Sequence, residues 1–256
     1  MAEQATTTRT ARRRVPLATT CGQPHACPRP VRMQVLSRVG WFAGLTEPEL
    51  DAVDARLVSL SWGEGDALYR VGDPAEHLYV LAAGRVKTTH PTPGGGEVIT
   101  DVLVPGDLFG TLSTLGDPVH RETAEALTTS CALRMDLSAF RAVLTEHPQV
   151  AMRVLDDVAA RLAAARTGAV RSVSGTVEQR VAAVLLRLAD RVGHERHAGG
   201  TLLQLPLTRT DLAAMTGSTP ESVSRVMSRL KRDGVVDSGR RWTSVLDRTR
   251  LAALAG

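Results

Sequence analysis

Residues 207–236, LTRTDLAAMTGSTPESVSRVMSRLKRDGVV, leave this chain little choice of local structure. Thr208 and Asp211 stand three apart, the arrangement in which each side chain can satisfy a backbone N–H of the other, so a helix is predicted over 209–215. Gly217 and Ser218 turn the chain. Thr219 then caps a second helix with Pro220 in its first position, and Gly234 stands where a helix ends in a left-handed residue. Two helices joined by a turn of this length, the second rich in Ser and Arg, make a helix-turn-helix. The stretch that follows, VVDSGRRWTSVLD, has apolar residues around a Ser-Gly-Arg-Arg turn and predicts a β-hairpin wing.

The second helix sorts into two faces. Val223, Val226, Met227 and Leu230 recur at i, i+3, i+4 and i+7 and must bury against the preceding helix. The opposite face carries Glu221, Ser224, Arg225, Ser228, Arg229 and Arg232. A merely solvated face would mix Glu and Lys in pairs, whereas this one sets short hydroxyls between arginines. In a DNA major groove, Arg forks onto guanine O6 and N7 and Glu accepts from a cytosine amino group. Glu221, Ser224 and Arg225 are therefore expected on base edges. Arg209, Ser218, Thr219, Ser228, Arg229, Arg232, Arg240 and Arg241 are expected on the phosphate backbone. Charge agrees: residues 41–145 carry 7 basic and 15 acidic side chains, residues 176–256 carry 13 and 8. A chain so divided hands polyanion contact to its basic part, although charge alone does not separate DNA from RNA or a membrane surface.

Between about 57 and 136 the sequence reads as short strands at 57–62, 66–70, 77–83, 85–90, 97–104, 123–129 and 131–136, broken by Gly/Pro/Asp turns. That spacing predicts an antiparallel sandwich or roll. Thr46-Glu47-Pro48-Glu49 opens a short helix ahead of it. Within residues 147–173, the run after His147-Pro148 has no turn residue until Gly168. There Leu155, Val158, Leu162, Ala165 and Ala169 alternate three- and four-residue steps, the narrow seam of a two-stranded coil. A self-packed helix is the plainer alternative, but small inner residues with Arg153, Arg161 and Arg166 outside fit a close dimer better. The fold class is thus α+β: an N-terminal antiparallel β-roll (a cupin-like double-stranded roll), a long dimerisation helix, and a C-terminal winged helix-turn-helix. The expected divisions are a disordered basic arm at 1–33, the roll at 34–145, the helix at 146–174 and the DNA-binding unit at 175–256.

At 256 residues the chain has room for two modest domains. No apolar run approaches the ~18 residues of a membrane span, and the basic N-terminus lacks the apolar core of a secretory signal. Three cysteines are too few for a disulfide scaffold, so a cytoplasmic protein with reduced thiols and no membrane partner is expected. No GxSxG, HExxH, Walker A or GxGxxG motif occurs, which argues against an enzyme.

With the residues laid out, a resemblance emerges. The helix-turn-helix stretch resembles the winged helix of CRP/FNR bacterial transcription regulators. GEGDALYRVGDPAEHLYVLAAGRV and PGDLFGTLSTLGD resemble the family's effector-sensing roll, and the likeness spans roughly residues 38–252. Glu221, Ser224 and Arg225 match the E-x-x-S-R pattern of the FNR-like branch. The resemblance implies a homodimer on a double-stranded palindrome with TTGAT- or TTGAC-like half-sites, and contact with RNA polymerase if the protein activates.

For the effector, the resemblance points to Gly106, Gly110, Thr111, Arg121 and Thr123. Cyclic-nucleotide-binding members carry Gly-Glu after the PGDxFG turn, then Arg-Ser or Arg-Thr. Here Thr111 replaces the acid that meets the ribose, and Glu122 beside Arg121 would repel a phosphate, so a cyclic nucleotide is not the expected ligand. Iron–sulfur members use N-terminal cysteines ending in C-x5-C plus a distant one. Cys21, Cys27 and Cys131 resemble that set, with His25 as a non-Cys fourth ligand. A [4Fe–4S] cluster answering redox, oxygen or NO, a zinc site, and three unconnected thiols all remain open. The rivals to the redox-regulator reading are a cyclic-nucleotide-responsive regulator and an interaction module that binds protein instead of DNA.

Overall fold

The structure, a computed structural model, describes residues 27–110, 118–195 and 199–256, with the backbone alone over 164–174. Helix α1 (Arg29–Leu36), a 3₁₀ turn (Gly40–Phe42) and α2 (Glu47–Asp54) lead into eight strands. These are β1 (Leu57–Trp62), β2 (Ala67–Tyr69), β3 (His77–Ala83), β4 (Val86–Pro91), β5 (Glu97–Leu103), β6 (Leu108–Phe109), β7 (Thr123–Ala126) and β8 (Ser130–Asp136). They form two antiparallel four-stranded sheets, ordered β1-β8-β3-β6 and β2-β7-β4-β5, the two layers of a roll.

Strand β3 shows why the roll holds together. Leu78, Val80 and Ala82 face the helices α1 and α2 in one apolar cluster, while Tyr79 and Leu81 face the second sheet in another. Alternate residues of one strand thus feed two cores, so β3 is apolar from Leu78 to Ala83 instead of alternating. At the β3–β4 turn Gly84 has φ of 89°, and a Cβ there would lie 2.3 Å from the Ser130 hydroxyl and 2.5 Å from the Thr129 carbonyl. Gly84→Ala is expected to cost roughly 1–3 kcal/mol, because neither the backbone angle nor the space accepts a methyl. Chemical denaturation checks it, and an unchanged midpoint would contradict this packing.

Helix α3 (Leu137–Glu146) and the long α4 (Pro148–Ser174) follow. The C-terminal unit then comprises α5 (Val177–Val192), β9 (Gly193–Glu195), β10 (Thr201–Leu203), α6 (Arg209–Thr216), α7 (Pro220–Arg232), β11 (Val236–Gly239), β12 (Trp242–Val245) and α8 (Arg248–Ala255). Its sheet runs β11-β12-β10-β9, so the expected wing is one half of a four-stranded sheet. Its apolar core is shared: Val102 and Leu127 of the roll belong to the same cluster as Val181, Leu185, Met227 and Leu230. Ion pairs reinforce that junction. Arg191 meets Asp101 at 2.8 Å and Asp107 at 2.6 Å, and the Lys87 ammonium bridges Glu125 (3.0 Å) and the helix-turn-helix residue Asp211 (3.4 Å).

One expectation needs correcting. The basic arm does not run on to residue 33, because Cys27 is buried and Arg29–Leu36 is helical, packing Val35 and Leu36 inward. Arg32 anchors this helix with a two-pronged contact to the buried Asp54 carboxylate (2.8 and 2.7 Å). A basic composition conceals apolar residues at helical spacing here. Cys21 and His25 lie outside the described residues.

Candidate nucleic-acid interface

The interface is built from its caps. In α6 the Thr208 hydroxyl accepts from the Asp211 N–H at 3.0 Å while the Asp211 carboxylate accepts from the Thr208 N–H at 2.8 Å. Gly217 ends that helix at φ of 56° with open space around it, so the left-handed angle, not crowding, selects glycine. The Thr219 hydroxyl then accepts from the Ser222 N–H at 3.3 Å and starts α7. Val223, Val226, Met227 and Leu230 are buried as the periodicity predicts. Glu221, Arg225, Ser228, Arg229 and Arg232 are exposed, and Ser224 is half-buried at the border of that face.

Glu221 and Arg225 lie one turn apart on the open side. Hydrogen bonding from its own backbone N–H, and then from Thr219, holds the Glu221 carboxyl below the usual carboxylate range, with Arg225 adding to the effect. It therefore stands as an acceptor at neutral pH. Arg225 donates through Nη2 to the Ser222 hydroxyl at 3.1 Å, which props the guanidinium at the start of the helix.

The expected backbone contacts divide. Arg240, Ser228 and Arg232 are open, Arg232 with Asp233 3.8 Å away. Arg229 pairs with Glu178 of α5. Arg209 is half-buried and donates to the Ser238 hydroxyl of the wing at 3.1 Å; burial lowers its pKa. The Ser218 hydroxyl is taken up internally, accepting from Arg180 at 3.0 Å and donating to the Thr216 carbonyl at 3.3 Å. Arg241, in a left-handed conformation at the wing tip, makes a two-pronged pair with Glu64 of the roll (3.0 and 2.8 Å). The sequence reading passed over Lys231, which ties α7 to the wing through Asp237 (2.7 Å) and the Ser238 carbonyl (3.1 Å). Its place in the last turn of a helix is the signal that marks it.

On α4, Val150 and Val154 pack on the roll, and Asp157 accepts from the Trp41 indole at 3.1 Å. Met152, Leu155 and Leu162 face outward, Leu155 at 59% and Leu162 at 53% exposure, with Val158 half-buried. The side chains of Ala165 and Ala169 lie outside the described residues.

Comparison with known proteins bears on this architecture. Residues 60–147 match the profile of the cyclic nucleotide-binding domain and residues 179–254 that of the Crp-like helix-turn-helix domain. The chain belongs to the CRP/FNR family of transcription regulators. It is accordingly a DNA-binding transcription regulator. A "CRP-like cAMP-activated global transcriptional regulator" of Mycobacterium tuberculosis is 27% identical over 223 residues, 87% of this chain and 99% of its own. "Transcriptional activator protein FnrA" of Stutzerimonas stutzeri is 26% identical over 193 residues, 75% of this chain and 78% of its own. Among solved structures, FixK2 from Bradyrhizobium japonicum superposes with a TM-score of 0.69 at 28% identity, over 78% of this chain and 98% of its own.

In this CRP/FNR regulator the roll interior carries a polar surprise. In the bend just ahead of β7, Arg121 is exposed while Glu122 is half-buried, its carboxylate 3.1 Å from the Tyr69 hydroxyl and 3.8 Å from His90 Nε2. Tyr69 stacks on the buried His120 ring at 3.7 Å and lies beside Tyr79 and Phe109, an aromatic wall. Thr123 is engaged, accepting from the Val71 N–H at 3.1 Å. Gly106 and Gly110 both take positive φ (97° and 105°), and Thr111 lies outside the described residues. Burial pushes the Glu122 carboxyl up, against smaller opposing effects of Tyr69 and His90. A carboxyl whose pKa is raised on folding favours the fold below its unfolded value and penalises it as pH rises beyond. Glu122→Gln is therefore expected to raise the melting temperature at pH 8 and to lose that advantage near pH 4. A gain that is equal at both pH values would contradict the assignment.

The cysteines do not assemble a cluster from what is described. Cys27 (2% exposed) and Cys131 (buried) sit in the apolar cluster that joins α1 to the first sheet. Among the described residues no three His, Cys, Asp or Glu side chains group as metal ligands. Nor, among them, is any helix long and apolar enough to cross a membrane.

Proposed function

We propose that this regulator acts as a homodimer paired along α4 that reads a palindrome with α7. Glu221, Ser224 and Arg225 meet base edges, and Thr219, Ser228, Arg229, Arg232 and Arg240 lie along the phosphates. The observation that carries the reading is the open Glu221–Arg225 face on a helix whose other face is fully buried. Arg229 and Arg241 join the phosphate contacts by exchanging Glu178 and Glu64 for DNA, an exchange of one exposed ion pair for another and so of small cost. Two such helices, related by the dimer axis, reach successive major-groove faces about one helical turn apart. The E-x-x-S-R match supports half-sites of the TTGAC kind.

The effector reading rests on the roll. An inward carboxyl at Glu122 beside an outward Arg121 disfavours a phosphate, so a plain cyclic nucleotide is not the signal. Cys27 and Cys131, two thiols buried in an apolar cluster, do not by themselves hold a [4Fe–4S] group. Gel-shift titration of the purified protein on a TTGAC palindrome and on a scrambled duplex, with and without cAMP, tests both halves. Selective binding that cAMP leaves unchanged is expected. Equal binding to the two duplexes would overturn the palindrome reading, and cAMP-dependent selectivity would overturn the effector reading.

A further inference from the structure

Between the pairing helix α4 and α5, the first helix of the unit that carries α7, lies a joint of two residues. Helix α4 ends at Ser174, Gly175 after it is extended (φ −91°, ψ 147°), and Thr176 at once caps α5, its hydroxyl accepting from the Gln179 N–H at 3.2 Å. A glycine between two helices is soft, so something else must fix the angle. Arg180, in the first turns of α5, spreads its three nitrogen groups over both sides of the joint. Nη1 donates to the Gly175 carbonyl (2.5 Å), Nε to the Thr216 carbonyl at the end of α6 (2.7 Å), and Nη2 to the Ser218 hydroxyl in the helix-turn-helix turn (3.0 Å). All three acceptors are uncharged oxygens, and two are carbonyls at helix C-termini, which lack internal partners and attract a cation. Before DNA is bound, the same first turn also holds α7 through the Glu178–Arg229 pair, whereas the Arg180 contacts involve no DNA-facing arginine.

We propose that Arg180 is a positioning residue that sets the direction of the helix-turn-helix relative to α4, and through it the half-site spacing the dimer accepts. The proposal rests on the dimer-on-palindrome reading above. A planar guanidinium with donors in a fixed fork suits this task, since it ties three backbone-linked points at defined angles where an ammonium would hold one. The required precision is modest. A swing of ~10° moves a point ~20 Å from the joint, about the length of α7, by ~3.5 Å, roughly one base-pair rise. Each half-site contact would survive such a swing while the match between two half-sites would not.

The test is a gel-shift series on palindromes that keep the same TTGAC half-sites and vary the spacer by one and two base pairs either way, with an isolated half-site as control. The wild type is expected to prefer one spacer by tenfold or more. Arg180→Gln should flatten that preference to within about threefold, with Arg180→Lys in between, and the flattening should exceed any loss on the isolated half-site. Variants as selective as the wild type overturn the role of Arg180 and leave the dimer reading standing. Loss of half-site and spacer binding in parallel also overturns it, since Arg180 would then merely build the turn. A wild type indifferent to spacing overturns the dimer reading and this proposal together. Should Arg180→Gln not fold, Arg180→Lys decides alone by the same comparison.

Discussion

Changing Leu155 and Leu162 together to glutamate should yield a folded monomer that no longer holds a palindrome. The two leucines are seven residues apart, two turns along one stripe of α4, and more than half exposed. The opposite edge of the helix is already committed to the roll through Val150, Val154 and the Trp41–Asp157 bond, so the substitutions leave the protomer's own packing alone. Burying a leucine is worth ~1.5–3 kcal/mol, and a two-fold contact buries four of these. Glutamates would replace that gain with facing like charges. The DNA consequence follows from effective concentration: once one half-site is bound, a linked second reading helix gains ~10²–10⁴ in apparent affinity, all of which the monomer forfeits. Light scattering should report one protomer mass, and the variant should bind a palindrome hardly better than a single half-site. A variant that stays dimeric would place the partner on another surface.

The sequence made the helix-turn-helix legible almost to the residue because its signals are local. Caps at Thr208 and Thr219, a left-handed Gly217 and a 3.6-residue apolar period all act within a few positions. The roll strands were legible for a similar reason, their glycine turns, but α3 was not: β8 runs straight into it at Asp136 with no turn residue between. What the sequence withheld depends on distant partners. Nothing near Lys87 announces Asp211, nor anything near Arg241 announces Glu64, since residues 124 and 177 positions apart meet only once the chain is folded. Glu122 teaches the same lesson. Its adjacency to Arg121 in sequence suggested one shared site, whereas in the folded bend Arg121 is exposed and Glu122 turns to the Tyr69 hydroxyl, 53 positions away.

Removing both Glu221 and Arg225 should bring binding to the palindrome most of the way down to the level of scrambled DNA while leaving the scrambled level nearly untouched. Arg225→Ala alone is expected to cost ~1–3 kcal/mol of discrimination, the worth of one bidentate contact to guanine. With Glu221→Ala the loss should reach roughly 2–6 kcal/mol, a large share of the ~4–10 kcal/mol that separates specific from non-specific complexes. Neither change should unfold the protein, because both side chains stand clear of the core formed by Val223, Val226, Met227 and Leu230. Arg232→Ala provides the contrast: an arginine that meets only phosphate should weaken both duplexes alike and reduce the slope of log affinity against log salt by about one. The contrast is diagnostic because a surface that is basic by chance would give the Arg232 pattern at every position. If Arg225→Ala behaves like Arg232→Ala, α7 lies on the duplex without reading it, and sequence preference must come from DNA shape or from elsewhere in the chain.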